Sequence, residues 1–596
     1  MKEFVASLLR HTRGVLSVAV GSMTVVLGGC APPSGSDSPI DQSANVSGEW
    51  EEGSLGVYIA TDERGRDDRH YTLRTSRGDE RPLLFDTPVE LMPGARVHVD
   101  GVSTAEGLRV RSFRALAPAL SGVDSTASAL VSAPAYRPRS FAFVLVDIGG
   151  GVNVTKDSVL SSLIGAPESL RNYYLADSFG RQDITAEVIG PLSYPVTTCS
   201  MTDMLGLVQK LRPMVSSTTT FDHYLWYLGT RLQSCGWLGQ ASVGTPNSPT
   251  RDTWYNASTN CVVLVQEPGH NFGMQHSSSL ACPGAAFADD PNACTADEYG
   301  DVFDPMGGAA SCRHMNAWQK AYQGWFGGCN GVSVTLSGTF TLLPIETRCD
   351  GAQFLKVKAP KARSFNRAAA GGGPATVETL SNYYVELRTP VDFDGTLGAR
   401  TALQPQILIH AGSDVATRNQ MGVHTYLLDM TPTTTSRSDA ALKVGTTFTD
   451  PAGGVSITAV AISATQATIK VDVTGGVGDA TCLDGTVFAA PGPGHESCST
   501  EPLSGGGTSG TGGASGTGGD EAGGSGGAIA TGGAGPADGA SGGGGCACAI
   551  GEPNRTDSGL ALFAMGALFV SRRRRSRSRK RGRGRVRDTA IWPPRV

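Results

Sequence analysis

The 596-residue chain has no apolar run long enough for a comfortable helical membrane span: its two terminal runs, residues 15–27 and 560–570, fall short of the roughly 20 residues a bilayer core requires. Neither reads as a permanent membrane helix. The sequence also lacks a glycine-rich phosphate loop and a serine elbow, so neither phosphate cradling nor serine-hydrolase chemistry has support. Closely spaced cysteine pairs of the kind that hold zinc are missing from the body of the chain. With Cys30 and the tail pair Cys546 and Cys548 set aside, ten of the 13 cysteines remain at irregular spacing, which fits up to five disulfides in an oxidising compartment. Spacing does not fix the pairing; proximity alone favours Cys282–Cys294 and Cys482–Cys498.

The formal charge is -5, yet residues 572–587 carry ten Arg and one Lys, so the body is acidic and the tail basic. A basic cluster directly after an apolar run follows the positive-inside pattern of membrane-directed segments, and no nucleic-acid partner is expected. At the other end Lys2, Arg10 and Arg13 precede residues 15–27, as in a secretory signal peptide. That segment ends in Leu27-Gly28-Gly29-Cys30, which resembles the lipobox of bacterial lipoproteins; the resemblance implies lipidation at Cys30. Cys546-Ala547-Cys548, the apolar residues 558–570 and Arg572-Arg573-Arg574-Arg575 resemble the MYXO-CTERM type of sorting tag, which implies display on the cell surface or release. A plain secretory signal and a simple tail anchor are the alternatives. All of them make the body of the chain an exported bacterial protein, at the outer membrane or cell surface or secreted, with membrane association through the N-terminal lipid, the C-terminal tag or both.

Composition shifts divide the chain into a signal peptide (1–30), a Pro/Ser/Asp-rich tether (31–47), a β-rich module (48–117) and an Ala/Ser/Pro linker (118–137). A domain of alternating strands and helices (138–331), a β-sandwich-like module (332–475), a Cys-bearing and Gly/Ser-rich linker (476–545) and the sorting tail (546–596) follow. Residues 48–117 read as a small β-barrel or sandwich, either an inhibitory pro-segment or an accessory module. Residues 141–147 are a continuous apolar run suited to a buried central strand, residues 157–174 and 202–233 have helical character, and a strand lies between them. Strands and helices alternate, which predicts an α/β arrangement. Residues 314–324 are expected to form a further helix.

The chemistry concentrates in Gln266-Glu267-Pro268-Gly269-His270-Asn271-Phe272-Gly273-Met274-Gln275-His276. Residues four apart share a helix face, so Gln266 and His270 can point at one metal with Glu267 beside them; Gly273 lets the chain turn and His276 returns as a further ligand. Three protein ligands, an open position for water and a carboxylate to take the water's proton are what metal-assisted peptide hydrolysis needs. His270 and His276 are the firm ligands and Glu267 the general base. Pro268 removes a backbone donor inside this helix, which predicts a kink there or a helix that begins near Gln266.

The motif together with Asp304-Pro305-Met306-Gly307 resembles the gametolysin family of metzincin metalloproteases, whose signature is Gln-Glu-x-x-His-x-x-Gly-x-x-His followed by a Met-turn. Tyr173-Tyr174, Ser178-Phe179-Gly180, Gly190-Pro191, Asn316-Ala317-Trp318-Gln319-Lys320 and Gly324-Trp325 extend the likeness over roughly residues 138–330. The resemblance implies an α/β (α+β) metzincin-like zincin catalytic domain between two β-rich modules. It also implies one catalytic Zn2+, with another divalent metal as the substitute, Gln266 as the amide-oxygen ligand and Met306 as the apolar floor. The expected function is an exported zinc-dependent endopeptidase acting on protein or peptide substrates; the alternative is an inactive, protease-like surface binding or adhesion protein. His314 reads as a surface or capping residue, Tyr299 as structural, and His223, His410 and His424 as core or surface residues.

Overall fold

The computed structural model describes residues 49–499, apart from gaps at 63–66, 87–88, 90–92, 117–136, 218, 368–375, 398–401, 416–423 and 490–497. The signal segment with Cys30, the tether, nearly all of the 118–137 linker and the glycine-rich and sorting segments lie outside the described residues.

Short alternating runs at the start become strands β1 (Glu49–Asp62), β2 (Asp67–Arg74), β3 (Glu80–Leu84), β4 (Arg96–Thr104) and β5 (Gly107–Ala115). They close in the order β1-β2-β3-β5-β4-β1, a small five-stranded barrel. Alternation puts Leu55, Val57, Ile59, Leu73, Val99 and Leu108 into one core.

The next elements are β6 (Arg139–Asp147), α1 (Lys156–Leu160), α2 (Leu170–Asp177), β7 (Ile184–Ser193), α3 (Met201–Val215), β8 (His223–Leu228), β9 (Trp237–Ser242), β10 (Asp252–Asn256) and α4 (Cys261–Asn271). Strands β7, β6, β8 and β10 run parallel in that order, and β9 closes the row antiparallel to β10. Val144, Trp226 and Trp254 meet Met204 and Leu207 of α3 on one face, while Phe143, Leu225 and Tyr255 meet Tyr173 of α2 and Val265 of α4 on the other. Cover on both faces is why β6 and β8 are unbroken apolar runs. The helix expected over 202–233 is therefore corrected: α3 ends at Val215, just after Pro213, and residues 223–228, all buried, form a central strand. The helical spacing over 157–174 is interrupted before Pro167, giving α1 and α2 with one π-helical turn following α1. Residues 58–62 of β1 pair antiparallel with β9, so barrel and α/β strands form one ten-stranded sheet.

Then come β11 (Ser277–Ala281), β12 (Thr295–Asp297), α5 (Ala317–Gln323), β13 (Gly331–Val334), β14 (Gly338–Leu342), β15 (Arg348–Cys349), β16 (Phe354–Arg367) and β17 (Thr376–Arg388). They are followed by β18 (Gln406–Gly412), β19 (Thr425–Leu428), β20 (Thr447–Thr449), β21 (Val455–Ile462), β22 (Ala467–Val473), β23 (Thr481–Cys482) and β24 (Cys498–Ser499). An eight-stranded sheet in the order β12-β11-β19-β18-β17-β16-β13-β23 shares one core with a four-stranded sheet β14-β22-β21-β20, where Leu355, Tyr383 and Ile407 meet Phe340, Ile457 and Ile469. Because β11 and β12 precede residue 331, this sheet crosses the position at which composition suggests a boundary. Helix α5 is capped by the Asn316 side chain and stopped by Gly324 in the left-handed region.

The ten body cysteines form five disulfides: Cys199–Cys235, Cys261–Cys312, Cys282–Cys294, Cys329–Cys482 and Cys349–Cys498. The local pair Cys482–Cys498 does not form. Strand pairing overrides proximity, since β23 lies on β13 beside Cys329 while β24 lies on β15 with Cys498 opposite Cys349. Among the described residues no helix is long and apolar enough to cross a membrane.

Candidate metal centre

Helix α4 carries the motif. Asn260 caps its start by accepting from the Val262 N–H at 2.9 Å, and the Cys261–Cys312 bridge ties that end to the segment after the Met-turn. The helix begins five residues before Gln266 and continues through Pro268 to Asn271, so it does not start near Gln266. Nine residues from Val263 to Asn271 are buried, and that packing outweighs the donor that Pro268 lacks. The far end is anchored by Asn271, whose Nδ2 donates to Ser242 O at 2.8 Å and Asp252 O at 3.2 Å, and whose Oδ1 lies 3.2 Å from His223 Nδ1. These bonds fix the helix under β9 and β10.

Gly273 has φ +96°, and a Cβ there would collide with the backbone at residues 244 and 245. That turn brings the ring of His276 edge-on to His270, with centroids 4.8 Å apart. Both rings are fixed at Nδ1: His270 by the Met274 carbonyl and His276 by Glu298 Oε1, each at 2.8 Å. Both partners only accept, so each Nδ1 carries the proton and each Nε2 presents a lone pair, the form in which imidazole binds metal. His270 Nε2 is buried with no protein partner. Burial, and then the nearby His276, hold the His270 pKa well below its ordinary value, which keeps the ring neutral.

Gln266 lies one turn before His270 on the same face, 3% exposed, its Nε2 without a partner. Glu267 is wholly buried and neither carboxylate oxygen has a hydrogen-bond partner. Burial alone pushes its pKa well above the ordinary carboxylate range. Gly239 of β9 makes the room, since a Cβ at that position would overlap the Glu267 carboxylate. Met306 is fully buried directly beneath α4, where a Cβ on Gly269 would come within 2.7 Å of its sulfur. Its turn is closed by Asp304, whose Oδ1 accepts from the Met306 N–H at 2.7 Å and whose Oδ2 accepts from the Asn316 N–H at 2.7 Å. Burial and the neighbouring Asp301 raise the Asp304 pKa to about 8. The Met306 carbonyl accepts from the Ser277 N–H at 2.9 Å, joining the turn to the strand that follows His276.

Among the described residues no three His, Cys, Asp or Glu side chains meet in a metal-holding arrangement. A metal at this centre thus needs a third donor of another kind. Gln266 shares the helix face of His270, and its amide oxygen is the remaining donor type on that face. The orphaned His270 nitrogen and the unpartnered Glu267 carboxylate fit such an ion.

Around these residues stand others whose place beside the motif the sequence did not reveal. Tyr299 lies on the His276 ring at 4.0 Å between centroids. Glu298 holds the edge of that ring and is itself paired with Arg367, the last residue of β16. His424 is buried rather than exposed, 3.5 Å from Glu298 Oε1 through Nε2 and 2.8 Å from Glu378 Oε1 through Nδ1. The only available signal was His424 itself, and its patterned surroundings resemble those of any core histidine. His314 is no surface residue: it is buried, with Nδ1 2.9 Å from Asp177 Oδ1. His410 is buried too, with Nε2 2.9 Å from Asp301 Oδ2.

No curated protein sequence matches the chain at a significant level. A protein-family model does: residues 197–442 match that of the gametolysin peptidase M11 family. The match starts later than the resemblance over 138–330 and runs much further, through β19. It spans the motif, the Met-turn and most of the eight-stranded sheet, and this similarity to gametolysin peptidases supports a metallopeptidase acting on protein or peptide substrates.

Proposed function

We propose that the chain is an exported zinc-dependent endopeptidase that hydrolyses extracellular or envelope proteins, with Glu267 as general base and Gln266, His270 and His276 as the metal's protein ligands. The observation that carries this reading is the Glu267 carboxylate: fully buried, unpartnered at both oxygens, and neighbour on α4 to a neutral imidazole with an orphaned nitrogen. Such a carboxylate is tolerated only when protonated or next to a cation, and sites of this kind are built for chemistry. When bound, zinc or another divalent ion supplies Lewis acidity toward water and the scissile carbonyl. Glu267 takes the proton of the attacking water and delivers it to the departing amine. Met306 keeps the floor of the site apolar, and Asn271 and Gly273 hold the two histidines in register.

Five disulfides support an oxidising compartment and hence export. We assign membrane attachment to a lipid on Cys30, the sorting tail or both; labelled palmitate is expected in the native chain and not in Cys30→Ala, and equal labelling would remove the lipid. For the chemistry, Glu267→Ala in the full chain is expected to keep its zinc and lose about 10²–10⁴-fold in peptide hydrolysis. Unchanged hydrolysis would remove Glu267 as base. A native chain that takes no metal and cleaves nothing would leave the surface-binding reading.

A further inference from the structure

We propose that Glu298 is a positioning residue for His276, and that the all-β part of the chain completes the metal centre by holding Glu298 through Arg367 and His424. This rests on the metallopeptidase reading above. Glu298 opens the turn that follows β12, its side chain 17% exposed, and accepts a hydrogen bond from His276 Nδ1 at 2.8 Å. The next residue, Tyr299, covers the face of the same ring. Edge and face together remove both rotations by which Nε2 could leave the metal position. An ionised acceptor on Nδ1 also makes an imidazole a stronger donor.

The carboxylate is fixed in turn. Its Oε2 pairs with Arg367 Nη2, which leaves Oε1 for His276. His424 flanks Oε1 at 3.5 Å and is held from behind by Glu378 of β17 at 2.8 Å. Tyr426 donates to the other Glu378 oxygen at 3.0 Å. Sheet register explains the meeting: β11 and β19 pair in parallel with Ser277 opposite Thr425, so His276 and His424 occupy matching positions just before the two strands. Residues far apart in sequence thereby converge on one ligand.

The test uses the full-length chain, stripped of metal and reloaded with zinc or cobalt(II). Glu298→Gln keeps the shape and loses the charge; Glu298→Asp keeps the charge and withdraws it from His276. Both are expected to weaken zinc about 10–100-fold in chelator competition and to shift the visible bands of the cobalt form, while thermal unfolding of the metal-free chain stays near that of the native protein. Tyr383→Phe removes a buried hydrogen bond to Asp450 elsewhere on β17 and is expected to change neither reading. Zinc affinities of the two Glu298 variants equal to the native value would overturn the proposal. So would an equal loss in Tyr383→Phe, because the effect would then run through folding of the sheet alone. A native chain that takes no zinc at all removes the metal centre and this proposal with it, an outcome distinct from native binding that Glu298 substitutions leave intact.

Discussion

Two residues of the motif bear most of the chemical argument. In the proposed centre Gln266 offers a neutral amide where imidazole is the stronger zinc donor, so that centre leans on the quality of its two histidines. That is why the acceptors on both Nδ1 atoms matter. Pro268, from which sequence alone predicts a kink or a late helix start, sits inside a helix already begun at Cys261. Local propensity lost to the burial of the whole helix, which no single-residue rule contains. His223 supplies a test of the same packing. Its pKa is pushed down to about 3 by burial and then by Arg139, against about 6.5 in an unfolded chain. Between those values the unfolded chain binds the proton and the folded chain does not, so stability falls as pH drops from about 6.5 toward 3, by up to about 1.4 kcal/mol per pH unit. Urea denaturation of the metal-free chain should show the native protein losing ground to His223→Gln across this window. A constant difference between the two would contradict the buried, neutral histidine.

At the scale of elements, β1 occupies the edge of β9 that lies beside the motif. Its residue Val57 accepts from the Val243 N–H at 2.9 Å, and alternate residues of a strand face the same neighbour, so residues 59 and 61 also turn toward β9. Thr61 stands opposite Gly239, the residue against which the Glu267 carboxylate rests. A polypeptide laid along β9 beside Glu267 must take the place of β1. Thr61→Pro deletes one N–H on that side; at about 1 kcal/mol net for a lost hydrogen bond, cleavage of denatured protein should rise about fivefold at unchanged zinc content. No rise with zinc retained would mean that β1 does not limit access. The barrel strands themselves are legible as short alternating runs, but their pairing with β9 is not, because nothing in a strand's composition names its partner. The same ignorance of partners lies behind the unformed Cys482–Cys498 pair.

For the whole molecule, the β-rich second half is part of the machinery around the motif. Arg388 of β17 is fully buried and donates to Phe303 O at 3.0 Å and His314 O at 2.8 Å, gripping the Met-turn segment from both sides. His410 of β18 reaches Asp301 in the same segment. The family match running to residue 442 agrees with this physical continuity. Gln266, Glu267, His270 and His276 were legible because helix period and short spacing connect them, whereas Met306 came from the family resemblance. Glu298, Arg367 and His424 were not, because only the register of β11 against β19 brings them to the motif. The proposed centre is a metal held by Gln266, His270 and His276. X-ray absorption at the zinc edge of the purified full-length chain tests it most directly. Two imidazole nitrogens with the remaining donors oxygen, reduced to one imidazole in His276→Ala, is the predicted shell; a sulfur donor, or a zinc shell unchanged by His276→Ala, would contradict it.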